Sequence, residues 1–209
     1  MPKSNLHLLA HPLIADCLKH LRDKNIKIDE FRHYSNQICQ ILFLDAIDDV
    51  ETVSVDIDTP LVKTSAKKLS CRIIVVPVLR AGLAMLFGAL ELLPKAQVGF
   101  VGMQRDEKTA QATEYYWKFP DIKPEHTVVV TDPMLATGGS LLHLLREIAP
   151  FKPKKIKCVC VIAAPEGIAA IQKEFPQVEI YTAAIDEKLN AQKYIVPGLG
   201  DYGDRYFGT

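Results

Sequence analysis

The stretch 128–140, VVVTDPMLATGGS, constrains the fold more than any other part of the chain. Val128, Val129 and Val130 follow His126-Thr127 as β-branched residues suited to a buried strand. Asp132-Pro133 ends that strand, because proline fixes φ and removes a ladder donor. Thr137-Gly138-Gly139-Ser140 is a turn of small residues, and Leu141, Leu142, Leu144 and Leu145 continue as a helix. Strand, acidic loop end, turn and helix start thus succeed one another. Such a turn directs backbone N–H groups and a helix N-terminus at one point, where a phosphate is favoured.

The elements around it predict an α/β fold. Ile73-Ile74-Val75-Val76-Pro77-Val78 is a continuous apolar run of the kind buried on both faces of a parallel sheet. Leu79-Arg80-Ala81-Gly82 ends it and a helix resumes at Leu83. Ligands in open α/β sheets bind outside the carboxyl ends of the strands, so Arg80 is a candidate ligand residue; the plainer alternative is a surface arginine in a turn. Further strands are expected at 98–103, 156–163 and 178–185, with a helix from Pro165 to Phe175. From residue 73 onward strands alternate with helices, which predicts a parallel sheet covered on both faces.

Upstream, Pro12 opens a helix whose inner face is Leu13, Cys17, Leu18 and Leu21. Asp29 is placed to cap a second helix, with Phe31, Tyr34, Ile38, Ile41 and Leu42 as its buried stripe. Val53, Val55 and Ile57 alternate with polar residues as a half-exposed strand ended by Pro60. After residue 103 the polar stretch 104–114 and Tyr115-Tyr116-Trp117 are too long and mixed for a tight turn. They predict a loop or arm, of the kind that serves as a lid or subunit contact, with the aromatic cluster used for packing.

With 209 residues, no internal repeat and no linker, one domain spanning 1–209 is expected. A formal net charge of +0 argues against nucleic acid or membrane as the main partner. The basic run 152–157, KPKKIK, lacks interleaved aromatics and is expected to be a solvated turn leading into a strand. The five cysteines, Cys17, Cys39, Cys71, Cys158 and Cys160, sit mostly in apolar runs, as core thiols of a reducing compartment do. With no sustained apolar stretch near the N-terminus, a cytoplasmic protein is expected.

The tail 194–209, YIVPGLGDYGDRYFGT, mixes glycines, aromatics and charges, and its aromatic content predicts order. Glycine-rich backbone can offer N–H and C=O groups to a flat polar ring such as a nucleobase; a cap over the sheet end is the plainer alternative. No Walker A sequence is present, no GxGxxG opens a βαβ unit, and Cys158 and Cys160 have no nearby histidine to complete a zinc site. His143 is expected to be an ordinary core or surface histidine. The parts that remain are Arg80, Arg105, Asp132 and the 137–140 turn. They suit a substrate with two phosphorylated ends: the turn for a monophosphate, the arginines for a diphosphate and Asp132 for vicinal sugar hydroxyls.

Asp132-Pro133-Met134-Leu135-Ala136-Thr137-Gly138-Gly139-Ser140 resembles the phosphoribosyl pyrophosphate (PRPP) motif of type I phosphoribosyltransferases, in the form found in the uracil phosphoribosyltransferase family. Val78-Leu79-Arg80-Ala81-Gly82, Arg105-Asp106-Glu107-Lys108-Thr109 and Pro197-Gly198-Leu199-Gly200-Asp201 resemble that family too, as do Gly203-Asp204-Arg205 and Phe207-Gly208-Thr209. The resemblance covers nearly the whole chain in the right order. It implies a central parallel sheet flanked by helices with a C-terminal base-binding hood. The implied reaction takes uracil and PRPP to UMP and diphosphate.

By the same resemblance, Ala136, Thr137, Gly138, Gly139 and Ser140 hold the 5′-phosphate within a PRPP site that also includes Pro133, Met134 and Leu135. Asp132 holds the ribose hydroxyls, and Arg80 and Arg105 serve the diphosphate. Ile195, Gly200 and Tyr202 bind uracil through main-chain groups. Asp201, bordering both substrates, faces the ribosyl donor and its metal, and with Arg105 it is the implied catalytic residue. Mg2+ is implied as cofactor, bound mainly through substrate oxygens. The resemblance further implies a homodimer or larger assembly and admits a GTP effector.

Three departures stand out. Thr131 precedes Asp132 where many type I members have a second acidic residue, and this agrees with the uracil subclass. Tyr202 stands where the family usually has a small residue, so the pocket is crowded if that side chain enters it. Ala110-Gln111-Ala112-Thr113 also departs from the usual loop sequence. A regulatory nucleotide- or RNA-binding protein on the same fold is the alternative from another class.

Overall fold

The computed structural model describes residues 5–70, 72–105 and 112–209, with backbone alone at 104, 105 and 112–115. In chain order the elements are β1 (Leu6–Leu8), α1 (Pro12–Arg22), α2 (Ile28–Ala46), β2 (Thr52–Asp58), β3 (Lys63–Leu69), β4 (Ile73–Leu79) and α3 (Leu83–Leu92). Then follow β5 (Gln97–Val98), β6 (Phe100–Arg105), β7 (Ala112–Lys118), β8 (Thr127–Thr131), β9 (Met134–Leu135) and α4 (Gly139–Ile148). The last are β10 (Lys155–Ala163), α5 (Pro165–Glu174), β11 (Glu179–Ile185), β12 (Lys188–Leu189), β13 (Ile195–Val196) and α6 (Tyr202–Phe207).

The main sheet runs β1-β11-β10-β8-β4-β6-β7, with β5 on β4 and β9 on β10. Every pairing is parallel except β6 with β7. Strand alternation divides the core between the two faces. Ile73, Val75, Val129, Val159 and Val161 pack beneath α1, α2 and α3. Ile74, Val76, Val128, Val130, Cys158 and Cys160 pack beneath α4 and α5. The expected doubly covered parallel sheet is present.

Several local expectations need correction. Leu13 is 58% exposed, and Ile14 at 2% takes its place with Cys17 and Leu21 on the buried face of α1. Asp29 does not cap α2. The cap is Lys27, whose N–H reaches Glu30 Oε2 at 3.4 Å, while Asp29 lies inside the first turn and favours the helix electrostatically. The half-exposed strand β2 has an antiparallel partner, β3, pairing Thr52 with Leu69 through Asp58 with Lys63. The stretch after residue 103 is an arm: β7 returns along β6, with Trp117 stacked on Phe119 at 4.2 Å. The segment 106–111, which holds the expected loop residues, lies outside the described residues.

The basic run differs most from expectation. Lys157 is fully buried, and its Nζ donates to Ala46 O at 2.7 Å, Asp49 Oδ1 at 2.5 Å and Tyr181 OH at 3.2 Å, with Glu179 Oε2 at 3.0 Å. Lys155 pairs with Asp49 and Glu179, and Lys154 with Glu51. A buried ammonium persists only when paired and fully hydrogen-bonded, so this network fixes β10 to the end of α2. Four of the cysteines are buried free thiols, and burial raises all four, Cys39 and Cys160 to about 12. Thiols so raised are inert packing groups near neutral pH. Cys71 lies outside the described residues.

Candidate functional site

A cleft of about 660 Å³ opens outside the carboxyl ends of the central strands. Arg80 and Ala81 after β4, Asp132 after β8, the 134–141 segment, and Lys193, Tyr194, Ile195, Gly200, Asp201, Tyr202 and Gly203 of the tail line it. Three segments remote in sequence therefore meet in one cavity.

Close backbone packing fixes the sheet side of this cleft. A Cβ on Gly82 would lie 2.4 Å from Thr131 O, so only glycine lets α3 begin against the end of β8. Thr131 Oγ1 donates to Gly82 O at 3.3 Å across the same junction. Past Asp132, Pro133 O accepts from Val161 N and Ile162 N at 3.0 and 3.1 Å, and β9 pairs with β10. Pro133 is buried by this pairing and is not among the lining residues, unlike the other eight positions of 132–140. Gly138 has φ +81° at the N-cap of α4, where it carries no side chain to cap the helix. Gly139 N–H reaches Thr137 Oγ1 at 3.4 Å. The start of α4 thus lines the cleft with backbone N–H groups and the positive end of the helix dipole, the setting an anion favours.

Asp132 is half-buried at the cleft floor, and its Oδ1 accepts Met134 N–H at 3.2 Å. Burial pushes its carboxyl up to about 6; the Met134 N–H opposes the shift, and the charge of Asp201 adds to it. Asp201 is exposed and caps α6, its Oδ1 accepting Asp204 N–H at 2.9 Å. A second carboxylate charge that raises the cost of ionising Asp132 favours a cation or a hydroxyl-bearing ligand beside it. Among the described residues, no group of three or more His, Cys, Asp or Glu side chains is set to hold a metal by itself.

Arg80 is exposed, its Nη2 donating to Asp204 Oδ1 at 2.9 Å and its Nη1 to Thr209 Oγ1 at 3.3 Å. The arginine after β4 is thereby tied to the tail. Arg105 ends β6, and its side chain lies outside the described residues.

The tail is ordered, as expected, and folds as β12 against β13 followed by α6. Tyr202 turns its side chain away from the cleft. The ring is 1% exposed, its OH donates to Ser35 Oγ at 2.7 Å, and it meets Phe31 edge-on at 5.1 Å. Its bulk therefore fills the core beside α2, and its backbone remains at the cavity wall. Two side chains that sequence reasoning passed over also hold the tail. Arg205 donates to Leu21 O, Leu199 O and Asp23 O while lying over the Phe31 ring at 4.6 Å. Arg22 pairs with Asp186. The Arg22–Asp186 pair and the Arg205 bonds to Leu21 and Asp23 leave no local sequence signal, because those partners lie 164, 184 and 182 residues apart.

A profile of the uracil phosphoribosyltransferase family matches residues 8–209. The curated uracil phosphoribosyltransferase of Ligilactobacillus salivarius is 46% identical over 203 residues, 97% of each chain. A solved structure of a protein from Aquifex aeolicus is 39% identical with a TM-score of 0.94, covering 98% of both chains. Adenine phosphoribosyltransferase of Trypanosoma brucei, at 13% identity and a TM-score of 0.60 over 96% of this chain, shares the fold alone. The mostly parallel sheet flanked by helices is the fold of the type I phosphoribosyltransferases. Within that class, the match along 8–209 decides the assignment: the chain belongs to the uracil phosphoribosyltransferase family.

Proposed function

We propose that this protein is a pentosyltransferase that joins uracil to the ribosyl phosphate of PRPP, giving UMP and diphosphate. One observation carries the proposal beyond family membership: Arg80, Asp132, the 136–140 turn, and Ile195 with residues 200–203 of the tail line a single cleft. In this mechanism the turn and the start of α4 hold the 5′-phosphate, and Asp132 accepts the ribose hydroxyls. Arg80 and Arg105 hold the diphosphate. Main-chain groups of Ile195, Gly200 and Tyr202 hold uracil, and the orientation of the Tyr202 ring into the core leaves room for it.

The C1′–O bond to diphosphate breaks with its electron pair leaving on diphosphate. The N1–C1′ bond forms, and the N1 proton is lost. Positive charge develops at C1′ on the way, so the protein's task is to stabilise the leaving anion and exclude water. Asp201, a tail residue that lines the same cleft, is the carboxylate assigned to the developing charge in this mechanism. No covalent nucleophile is required, in keeping with the buried, raised thiols.

Mg2+ fits the donor set. Two cleft-lining carboxylates without a full ligand cage would suit an ion that keeps waters and substrate phosphates as its main ligands, with Asp201 and Asp132 the residues that would help to hold it. When bound, it neutralises diphosphate oxygens. We further take the chain to be one catalytic domain of a cytoplasmic enzyme; no helix among the described residues is long and apolar enough to cross a membrane. We also propose a homodimer or larger assembly. Among the described residues the β2–β3 hairpin pairs with no other strand, and Val53, Ile57, Val62 and Leu69 on it are exposed. An isolated two-stranded ribbon is marginal in water without a surface to pack on.

The RNA-binding alternative loses its main support, because Lys154, Lys155 and Lys157 are already engaged with carboxylates. The assay is direct: protein, PRPP and Mg2+ are incubated with each nucleobase separately and nucleotide is measured. UMP from uracil alone is expected; an absence of UMP would sink the proposal. GTP added to the same reaction identifies an activator if turnover rises.

A further inference from the structure

The loop on the acceptor side of the cleft is held by a clamp that lies outside it. Arg22, the last residue of α1, donates from Nη1 and Nη2 to Asp186 Oδ2 and Oδ1 at 2.8 and 2.6 Å. The same Nη1 donates to Gly198 O at 2.7 Å, and Gly198 N–H donates to Asp186 Oδ2 at 2.8 Å. One ion pair thus fixes both backbone polar groups of Gly198. Asp186 directly follows β11, is 7% exposed, and anchors its own N–H on Ala163 O at 2.9 Å. The clamp therefore connects the end of a helix, the end of a sheet strand and the tail.

Gly198 itself has no freedom to substitute. Its φ is +63°, and a Cβ there would lie 2.2 Å from Ile195 O. Arg22, Asp186 and Gly198 do not line the cleft, whereas Ile195 and Gly200 on either side of Gly198 do. A ring held by main-chain groups gives the protein no rotamers with which to adjust. The positions of its donors and acceptors are those of the backbone, so recognition is only as sharp as the loop is fixed.

We propose that the Arg22–Asp186 pair is a positioning device for base recognition, holding the 195–200 main chain in the register that uracil requires. The proposal rests on the uracil transferase assignment above. A bidentate guanidinium–carboxylate pair suits this task because its fork fixes direction as well as distance, which a lysine ammonium cannot do. With three N–H donors on one buried carboxylate, the pair is also satisfied without water.

The test is a steady-state comparison of Arg22→Met, Asp186→Asn and Arg22→Lys with the wild type, varying uracil and PRPP in turn. The KM for uracil should rise about tenfold in the first two variants while that for PRPP stays within about twofold, the signature of a displaced acceptor site only. Arg22→Lys should fall between wild type and Arg22→Met. Selectivity for uracil over cytosine should narrow in step. A parallel rise in both KM values would reveal a merely structural pair, and an unchanged uracil KM in a folded Arg22→Met would remove any role in recognition. If Arg22→Met does not fold, Asp186→Asn and Arg22→Lys carry the same test through the same split. A wild type that makes no UMP would indict the functional assignment instead; a wild type that does, with unaffected variants, would overturn the clamp alone.

Discussion

The donor and acceptor sides of the cleft are built by different means. The donor side is a backbone construction: Pro133 and Leu135 carbonyls accept from Val161, Ile162 and Ala164, and Gly82 and Gly138 allow approaches that a side chain would block. The acceptor side is an open tail fastened by side chains. Arg22 with Asp186, Arg205 with three carbonyls, and Tyr202 with Ser35 do there what the ladder does for the donor side. A site made from the sheet cannot change without the fold, whereas one made from fasteners can be loosened alone. Under the proposed function, the donor half is then expected to answer to stability and the acceptor half to specificity.

The strongest test of that contrast is Asp132→Asn, which should lower kcat/KM by about 100-fold or more, because the charge is lost and one of the two oxygens that accept the vicinal ribose hydroxyls becomes an NH2 donor. The same change should stabilise the free protein. Because the folded carboxyl is raised to about 6 from an ordinary 3.8, the native state binds its proton more tightly than the unfolded chain does. Stability from this group is present at low pH, falls between about pH 4 and 6, and stays lost above. Thermal melting should thus favour the variant by ~1–3 kcal/mol at pH 8 and by little at pH 4.

Next in size is Asp201→Asn, expected to lower kcat by roughly 30–100-fold. Asparagine caps a helix as well as aspartate does, so unfolding free energy should move by no more than ~0.5 kcal/mol. Normal turnover would take Asp201 out of the site. Gly198→Ala should raise the uracil KM by about tenfold, with ~1–3 kcal/mol of lost stability and little change in the PRPP KM. If PRPP binding fell equally, the two halves would not be separable.

A smaller effect is the pH dependence of wild-type PRPP binding. KM for PRPP should climb as pH falls through about 6, approaching tenfold per unit well below it, as the Asp132 carboxylate is protonated. Asp201→Asn should move that inflection to lower pH, since the Asp201 charge helps to raise it. Smallest is Tyr202→Phe, which should cost ~1 kcal/mol for the lost Ser35 hydrogen bond and leave the uracil KM within about twofold.

The same division governs what could be read from the sequence. The buried strands β4, β8 and β10 announce themselves as apolar runs, and proline marks the starts of α1 and α5. The 137–140 turn is legible because its chemistry is local. By contrast, β3 reads KTSAKKL and forms through backbone pairing with β2, which no apolar pattern reports. Lys157 looks solvated in a basic run, and only Asp49 and Glu179, distant in sequence, explain its burial. Arg22 carries no signal at all, since its partner Asp186 lies 164 residues away. Tyr202 is the instructive middle case: its backbone position was legible, while the destination of its ring depended on Ser35 and Phe31.

The most direct measurement is a crystal structure of the protein with UMP and Mg2+ bound. The account predicts the phosphate on the backbone N–H groups of residues 137–140, the ribose hydroxyls on Asp132, and the uracil ring against the main chain of Ile195, Gly200 and Tyr202. A uracil ring seated away from the tail, or a phosphate held elsewhere than at the start of α4, would contradict it.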